Sequence, residues 1–275
     1  MTQVWLMGPA TRSGIPYRAA ATDDEGMSER LRPLGLIGGM SWHSTATYYR
    51  HLNERVAAAR GAHASARISL QSLDFSEVRA CQVADDYARS GRMLAEAGRA
   101  CEAGGAEVLA ICTNLMHRNY DDLVAAVDAP VLHIADAVAE AALRAGHRSV
   151  GLLGTRPVME LDFYATRLAA YGLEVVTPDL EDRLEVDRVG FEGITQGVFR
   201  TTSRDLHVDI IRRMSDRGAD VVALACTEIG LLVPAEAAPL PVLDTALVHA
   251  DALADLALDP SLPLPLPRPP VPARG

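Results

Sequence analysis

Two residues that end buried apolar runs offer chemistry. Gly105-Ala-Glu-Val-Leu-Ala-Ile-Cys112-Thr113-Asn114 recurs without a gap as Gly218-Ala-Asp-Val-Val-Ala-Leu-Ala225-Cys226-Thr227, a register that sets Thr113 opposite Cys226. Each run is a buried strand ending in a hydroxyl or a thiol. A thiol ionises near pH ~8.5, far closer to neutrality than a hydroxyl, so it can take up and release protons at ordinary pH. Two such groups on facing elements can remove a proton from one side of a carbon and return one on the other.

The echo is not isolated. Leu34-Gly-Leu-Ile-Gly38-Gly39-Met40 matches Val150-Gly-Leu-Leu-Gly154-Thr155-Arg156, and Ala129-Pro-Val-Leu-His133 matches Leu240-Pro-Val-Leu-Asp244. Three echoes in one order at nearly one spacing indicate two duplicated α/β halves.

The elements that position these residues alternate in period. Strands are expected at 34–37, 68–73, 108–113, 131–133, 150–154, 174–177, 221–225 and 242–243. Helices are expected near 43–60, 84–103, 118–127, 135–145, 159–171, 184–199, 203–217 and 245–257. The strands are continuous runs of Val, Leu, Ile and Ala, as in parallel sheets covered on both faces. The fold class is therefore α/β, with two pseudo-symmetric domains, parallel-type sheets flanked by helices and an active site in the inter-domain cleft. Ligands in such sheets bind at the carboxyl ends of strands. Gly38-Gly39, Thr113-Asn114, Gly154-Thr155 and Cys226-Thr227 all fall there. Because neighbouring strand residues point to opposite faces, Cys112 is read as packing into the sheet and Thr113 as facing the cleft.

The expected division is 34–130 plus 240–258 for the first domain and 131–239 for the second. Residues 1–33 read as a disordered leader. Residues 259–275 hold seven prolines and read as an extended, disordered tail.

Composition narrows the function. The chain has 275 residues, 49% of them hydrophobic, enough for a large core, and a net charge of −10. That charge argues against a nucleic-acid groove. Four cysteines without C-x-x-C spacing point to a reduced cytoplasmic protein, and the scattered histidines do not form metal-ligand spacing. No segment reads as a signal peptide or a membrane span. Gly38-Gly39 lacks the full dinucleotide fingerprint.

Leu34–Met40 followed by Ser41-Trp-His-Ser-Thr-Ala-Thr-Tyr48-Tyr49 resembles the opening of the aspartate/glutamate racemase family. Cys112-Thr-Asn-Leu-Met-His117, Leu153-Gly-Thr-Arg156 with Met159, and Ala225-Cys-Thr-Glu-Ile229 are similar to its other landmarks, in order, over about residues 34–257. The similarity is greatest to the broad-specificity or L-aspartate/glutamate-specific branch. The resemblance implies a cofactor-independent amino-acid racemase with neither PLP nor metal, a homodimer, and a small amino acid as its only partner besides itself. It implies Thr113 and Cys226 as catalytic residues, with Cys226 taking the proton from the L-enantiomer. Substrate contacts are implied for Met40, Ser41, Gln82, Asn114, Leu115, Thr155 and Thr227.

The chain departs from the family pattern in three places. Thr113 stands where a cysteine is common, Leu115 where threonine is usual, and Thr195 where some aspartate racemases have lysine. Three further residues have open readings. His117 either polarises Thr113 or is a buried, hydrogen-bonded histidine. Glu228 either tunes Cys226 or caps the following turn. Arg156 either attracts an acidic substrate or pairs on the surface. Other functions on this scaffold are a hydantoin racemase, a decarboxylase, or a non-catalytic binding relative.

Overall fold

The computed structural model describes residues 30–192, 198 and 200–264; of residues 191, 192, 227, 228 and 231 it describes the backbone. The chain runs β1 (Leu34–Gly38), α1 (Trp42–Arg60), β2 (Ile68–Ser72), α2 (Phe75–Val83), α3 (Tyr87–Ala103) and β3 (Val108–Ile111). A 3-10 turn (Leu115–Asn119), α4 (Tyr120–Val124), β4 (Val131–Leu132) and α5 (Ile134–Arg144) complete the first half of the chain. Then follow β5 (Ser149–Gly154), α6 (Arg156–Glu160), α7 (Asp162–Ala169), β6 (Glu174–Val176), α8 (Leu180–Glu192) and α9 (Thr201–Asp216). β7 (Val221–Ala225), α10 (Thr227–Leu232), β8 (Val242–Asp244) and α11 (Thr245–Leu258) close it.

The strands form two four-stranded parallel sheets, ordered β2-β1-β3-β4 and β6-β5-β7-β8. The orders are the same under the sequence echo, which aligns β1 with β5, β3 with β7 and β4 with β8. Helices cover both faces of each sheet. On the first, Leu34, Leu36, Val108 and Ala110 pack against Tyr48 and Leu52 of α1 and Ala250, Leu253 and Ala254 of α11. Its other face sets Ile37, Leu109 and Ile111 against Leu94, Ala97 and Cys101 of α3. On the second sheet, Val150, Leu152 and Val221 meet Ile134 and Val138 of α5 and Tyr164 and Leu168 of α7. Its other face is closed by Val186 and Val189 of α8 and Ile210, Ile211 and Met214 of α9. With both faces buried, the central strands β1, β3, β5 and β7 show no polar alternation, whereas the edge strand β2, Ile68-Ser-Leu-Gln-Ser72, keeps it.

The halves exchange helices. β4 pairs with β3 in the first sheet, yet the next helix, α5, packs on the second. β8 pairs with β7 in the second sheet, yet α11 packs on the first. The expected boundaries, 34–130 plus 240–258 against 131–239, thus cut across both crossovers. Strand pairing puts 131–132 with the first sheet and 242–244 with the second, and only the helix of the final segment returns.

The expected helix at 84–103 is α3 (Tyr87–Ala103), and a further helix, α2 (Phe75–Val83), precedes it where none was expected. Asp74 caps α2 by accepting from Ser76 N–H at 2.8 Å, Asp86 caps α3 by accepting from Arg89 N–H at 3.0 Å, and Asp85 turns the chain between them with φ +53°. The spacing Asp74-x-x-Glu77 carries the signal for the missed helix α2.

The expected disorder does not hold at residues 30–33 or 259–264. Arg32 is buried; its backbone N–H donates to Ala257, and its guanidinium donates to the carbonyls of Leu256, Pro260 and Leu262. Those bonds hold residues 259–262 in a turn, and Leu264 packs on the first core. The expectations for 1–29 and 265–275 lie outside the described residues.

Candidate active site

Both catalytic candidates end strands that the echo equates. Thr113 lies two residues past the end of β3, and Cys226 follows β7 as the N-cap residue of α10. The two line one cleft of about 700 Å³, open to solvent. Met40, Ser41, Gln82, Asn114, Leu115 and Thr155 line it as well, so these sequence candidates converge on one place. For Thr227 and Glu228 the backbone opens α10, and their side chains lie outside the description, as does the whole of Thr195.

Local sequence explains the loop that carries Met40 and Ser41. Gly39 has φ +86°, and its N–H donates to Thr45 Oγ1 at 2.8 Å. A Cβ at Gly39 would collide with the backbone of Leu73, so only glycine fits where the loop crosses the end of β2. In the second half Gly154 approaches the Ala225 carbonyl so closely that a Cβ would sit 2.6 Å from it.

Sequence reasoning missed several walls of the cleft: Phe75 from α2, Val186, Asp187 and Gly190 from α8, and Ala225 and Ile229 on either side of Cys226. The strand-end residue among them, Ala225, was legible as the neighbour of Cys226. Nothing local marks α8 as passing over the cleft; only its packing on the second sheet places it there. Asp187 Oδ1 accepts from Arg156 N–H at 3.0 Å, which ties α8 to the start of α6. Among the described lining residues Asp187 is the one charged side chain. Arg156 itself is exposed, is not among the residues that line the cleft, and donates to Glu160 at 2.9 Å one helical turn on.

Cys112 is fully buried among the first sheet's core residues, and burial pushes its thiol well above the ordinary range. The strand alternation thus turns Cys112 inward and Thr113 toward the cleft. Leu115 both borders the cleft and is buried in the core of the second sheet, the cluster that holds Ile134 and Val138 of α5.

His117 lies beneath the cleft, not in it. Ile134 N–H donates to its Nε2 at 3.1 Å, so its proton resides on Nδ1 and is donated to the Thr113 carbonyl at 2.8 Å. Burial, reinforced by His249, holds its pKa well below the usual imidazole value. His133 and His249 lie nearby in tilted and edge-on arrangements, with ring centroids 4.5 and 5.9 Å from His117. Among the described residues no group of three or more His, Cys, Asp or Glu is arranged to hold a metal ion, and no helix is long and apolar enough to cross a membrane.

Two polar atoms of the wall have no hydrogen-bond partner among the described residues: Asn114 Oδ1 and Thr155 Oγ1, both buried. Buried polar atoms are nearly always paired, and these two are free to bond a polar ligand in the cleft.

Two parallel sheets of the same strand order bring equivalent strand ends, carrying Thr113 and Cys226, to one shared cleft. A family model described as Asp/Glu/Hydantoin racemase matches residues 37–253, and the chain belongs to that family. A candidate Asp/Glu racemase from Yersinia pestis is 44% identical over 83% of this chain and all of its own, with a TM-score of 0.79. An aspartate racemase homologue from Pyrococcus horikoshii is 32% identical over 82% of this chain and 99% of its own, with a TM-score of 0.71. Glutamate racemase from Francisella tularensis, solved in complex with D-glutamate, is 15% identical over 82% and 80% of the two chains; at a TM-score of 0.57 it shares the fold. The protein is an isomerase, an amino-acid racemase by its family.

Proposed function

We propose that the protein racemises an acidic amino acid, aspartate and/or glutamate, without a cofactor, as in the L-aspartate/glutamate-specific branch of its family. The observation that carries this is the convergence of Thr113 and Cys226 on one cleft from equivalent strand ends. In this reading the Cys226 thiolate takes the α-proton of the L-enantiomer. The electron pair left on the α-carbon delocalises into the α-carboxylate as an enediolate. Backbone N–H groups where the chain leaves the strands, at Ser41, Asn114 and Thr227, are suited to that developing charge. The Thr113 hydroxyl, directly or through a water that it holds, delivers a proton to the opposite face and gives the D-enantiomer.

A threonine hydroxyl is a weak base, so the reverse direction starts slowly and kcat is larger from the L-enantiomer. The equilibrium between enantiomers is unity, which obliges KM to differ in the same proportion. Met40, Ser41, Gln82, Leu115 and Thr155 enclose the rest of the substrate. A homodimer in the cytoplasm belongs to the same proposal, supported by the family resemblance and the cysteine usage.

A second reading rests on the wall itself. No lysine or arginine is among the described lining residues, and Asp187 is acidic. That favours a substrate without a second carboxylate, a neutral amino acid or a hydantoin. NMR of each enantiomer of aspartate and glutamate in D₂O, with purified protein and nothing added, tests the proposal. Deuterium incorporation at the α-carbon supports it; none from either amino acid, with exchange from neutral amino acids or a hydantoin, gives the second reading first place.

A further inference from the structure

Thr245 is fully buried at the start of α11, where Asp244 already caps the helix by accepting from Ala246 N–H at 3.0 Å and Leu247 N–H at 3.2 Å. Its hydroxyl is therefore not needed as a cap. It donates instead to the Leu224 carbonyl on β7 at 2.9 Å, and it accepts from Asn114 Nδ2 at 3.0 Å. A hydroxyl has one proton. With that proton given to Leu224, only lone pairs remain for Asn114, which must turn its NH₂ toward Thr245. The amide orientation follows: Oδ1 points elsewhere, and it is a buried acceptor with no partner among the described residues, on a side chain that is 2% exposed and borders the cleft.

We propose that Thr245 is a positioning residue for racemisation, holding the Asn114 amide so that Oδ1 accepts a hydrogen bond from the substrate's α-ammonium group. An amide oxygen can serve a donor such as ammonium and cannot serve a carboxylate, so the relay also sets which end of the α-amino acid lies against Asn114. The same side chain joins the two halves beside the reacting groups: Asn114 adjoins Thr113, and Leu224 lies two residues before Cys226. Asp187, the carboxylate in the wall, already accepts from Arg156 N–H at 3.0 Å. The inference rests on the amino-acid racemase reading for its ligand, and not on which proton-transfer group acts first.

The test compares ligands that differ only in the amine. Calorimetry gives the affinities of aspartate against succinate and of glutamate against glutarate for wild type, Thr245→Val and Thr245→Ser. The preference for the amine-bearing ligand should fall about tenfold in Thr245→Val, the effect of one hydrogen bond, and return in Thr245→Ser. Affinity for succinate and glutarate should stay unchanged, and kcat/KM for α-deuterium exchange should follow the amine preference. In an Asn114→Ala background Thr245→Val should have no further effect, because it acts through Asn114. An unchanged preference in folded Thr245→Val, a loss that serine does not restore, or additive losses in the double variant would each overturn the proposal. Should Thr245→Val fail to fold by circular dichroism, Thr245→Ala is read by the same criteria. Absence of exchange in the wild type together with this binding pattern would remove the racemase reading and leave the relay standing.

Discussion

His117 Nδ1–H donates to the Thr113 carbonyl at 2.8 Å, and so holds the backbone of the first catalytic turn without touching the threonine hydroxyl. The imidazole cannot serve as base to that hydroxyl while its Nε2 accepts from Ile134 N–H. In the proposed mechanism Thr113 then acts through proton delivery, and the Cys226 thiol carries the demanding half of the reaction.

Cys226→Ala should therefore lower α-proton exchange from L-aspartate or L-glutamate by roughly two to three orders of magnitude, the usual cost of removing a general acid/base. The fold should persist, because this side chain borders the cleft. Retention of wild-type exchange, followed by NMR in D₂O, would refute the assignment of Cys226 as the base.

Cys112 and Thr113 should separate cleanly. Cys112→Ser puts a hydroxyl among Leu34, Leu36 and Tyr48 and should cost about 1–3 kcal/mol of stability, the penalty for a buried polar group without a good partner, with little change in kcat. Thr113→Ala should do the reverse, and Thr113→Cys should raise kcat from the D-enantiomer by supplying a second thiol. Urea melts and progress curves from both enantiomers check this pair. A kinetic collapse in Cys112→Ser at unchanged stability would show that the facing of the strand has been read backwards.

Leu115→Thr should have two effects. A hydroxyl at the cleft should raise the preference for an acidic over a neutral amino acid of similar size by about 1 kcal/mol in kcat/KM, one hydrogen bond's net worth. Because Leu115 is also buried in the cluster that holds Ile134 and Val138, stability should fall by roughly 1–3 kcal/mol for the lost apolar burial. Equal preference ratios for the two proteins would mean that position 115 contributes through its backbone alone.

The buried histidines make stability depend on pH in a known direction. Burial depresses His117, His133 and His249, the last to about 4 from 6.5. The unfolded chain thus binds protons that the folded one refuses, and stability is complete above about pH 6.5 and declines as pH falls toward 4. For His249 alone that gap corresponds to roughly 3 kcal/mol over the whole window. Urea midpoints should fall between pH 7 and pH 4.5, and less steeply in His249→Gln, where the titrating ring is gone. Identical slopes for the two proteins would show that His249 is not a contributor.

Much of the architecture is written in the chain's local pattern. Apolar runs ending in Gly38, Thr113, Gly154 and Cys226 specify parallel strands whose carboxyl ends meet a ligand, since period and punctuation are properties of short segments. The ungapped echo pairs Thr113 with Cys226, and the alternation of strand side chains already turns Cys112 inward. Tertiary structure decided what depends on distant partners. Which sheet α5 and α11 cover is a matter of packing, so the exchange of helices between halves leaves no trace in periodicity. α8 brings Asp187 over the cleft by docking on the second sheet, and His117 chooses a carbonyl over a hydroxyl because Ile134 N–H claims its other nitrogen. Thr245 and Asn114 are far apart in sequence, and only the fold sets one hydroxyl between them and Leu224. A hydrogen bond's direction follows from all of its members at once, and no window of sequence contains them.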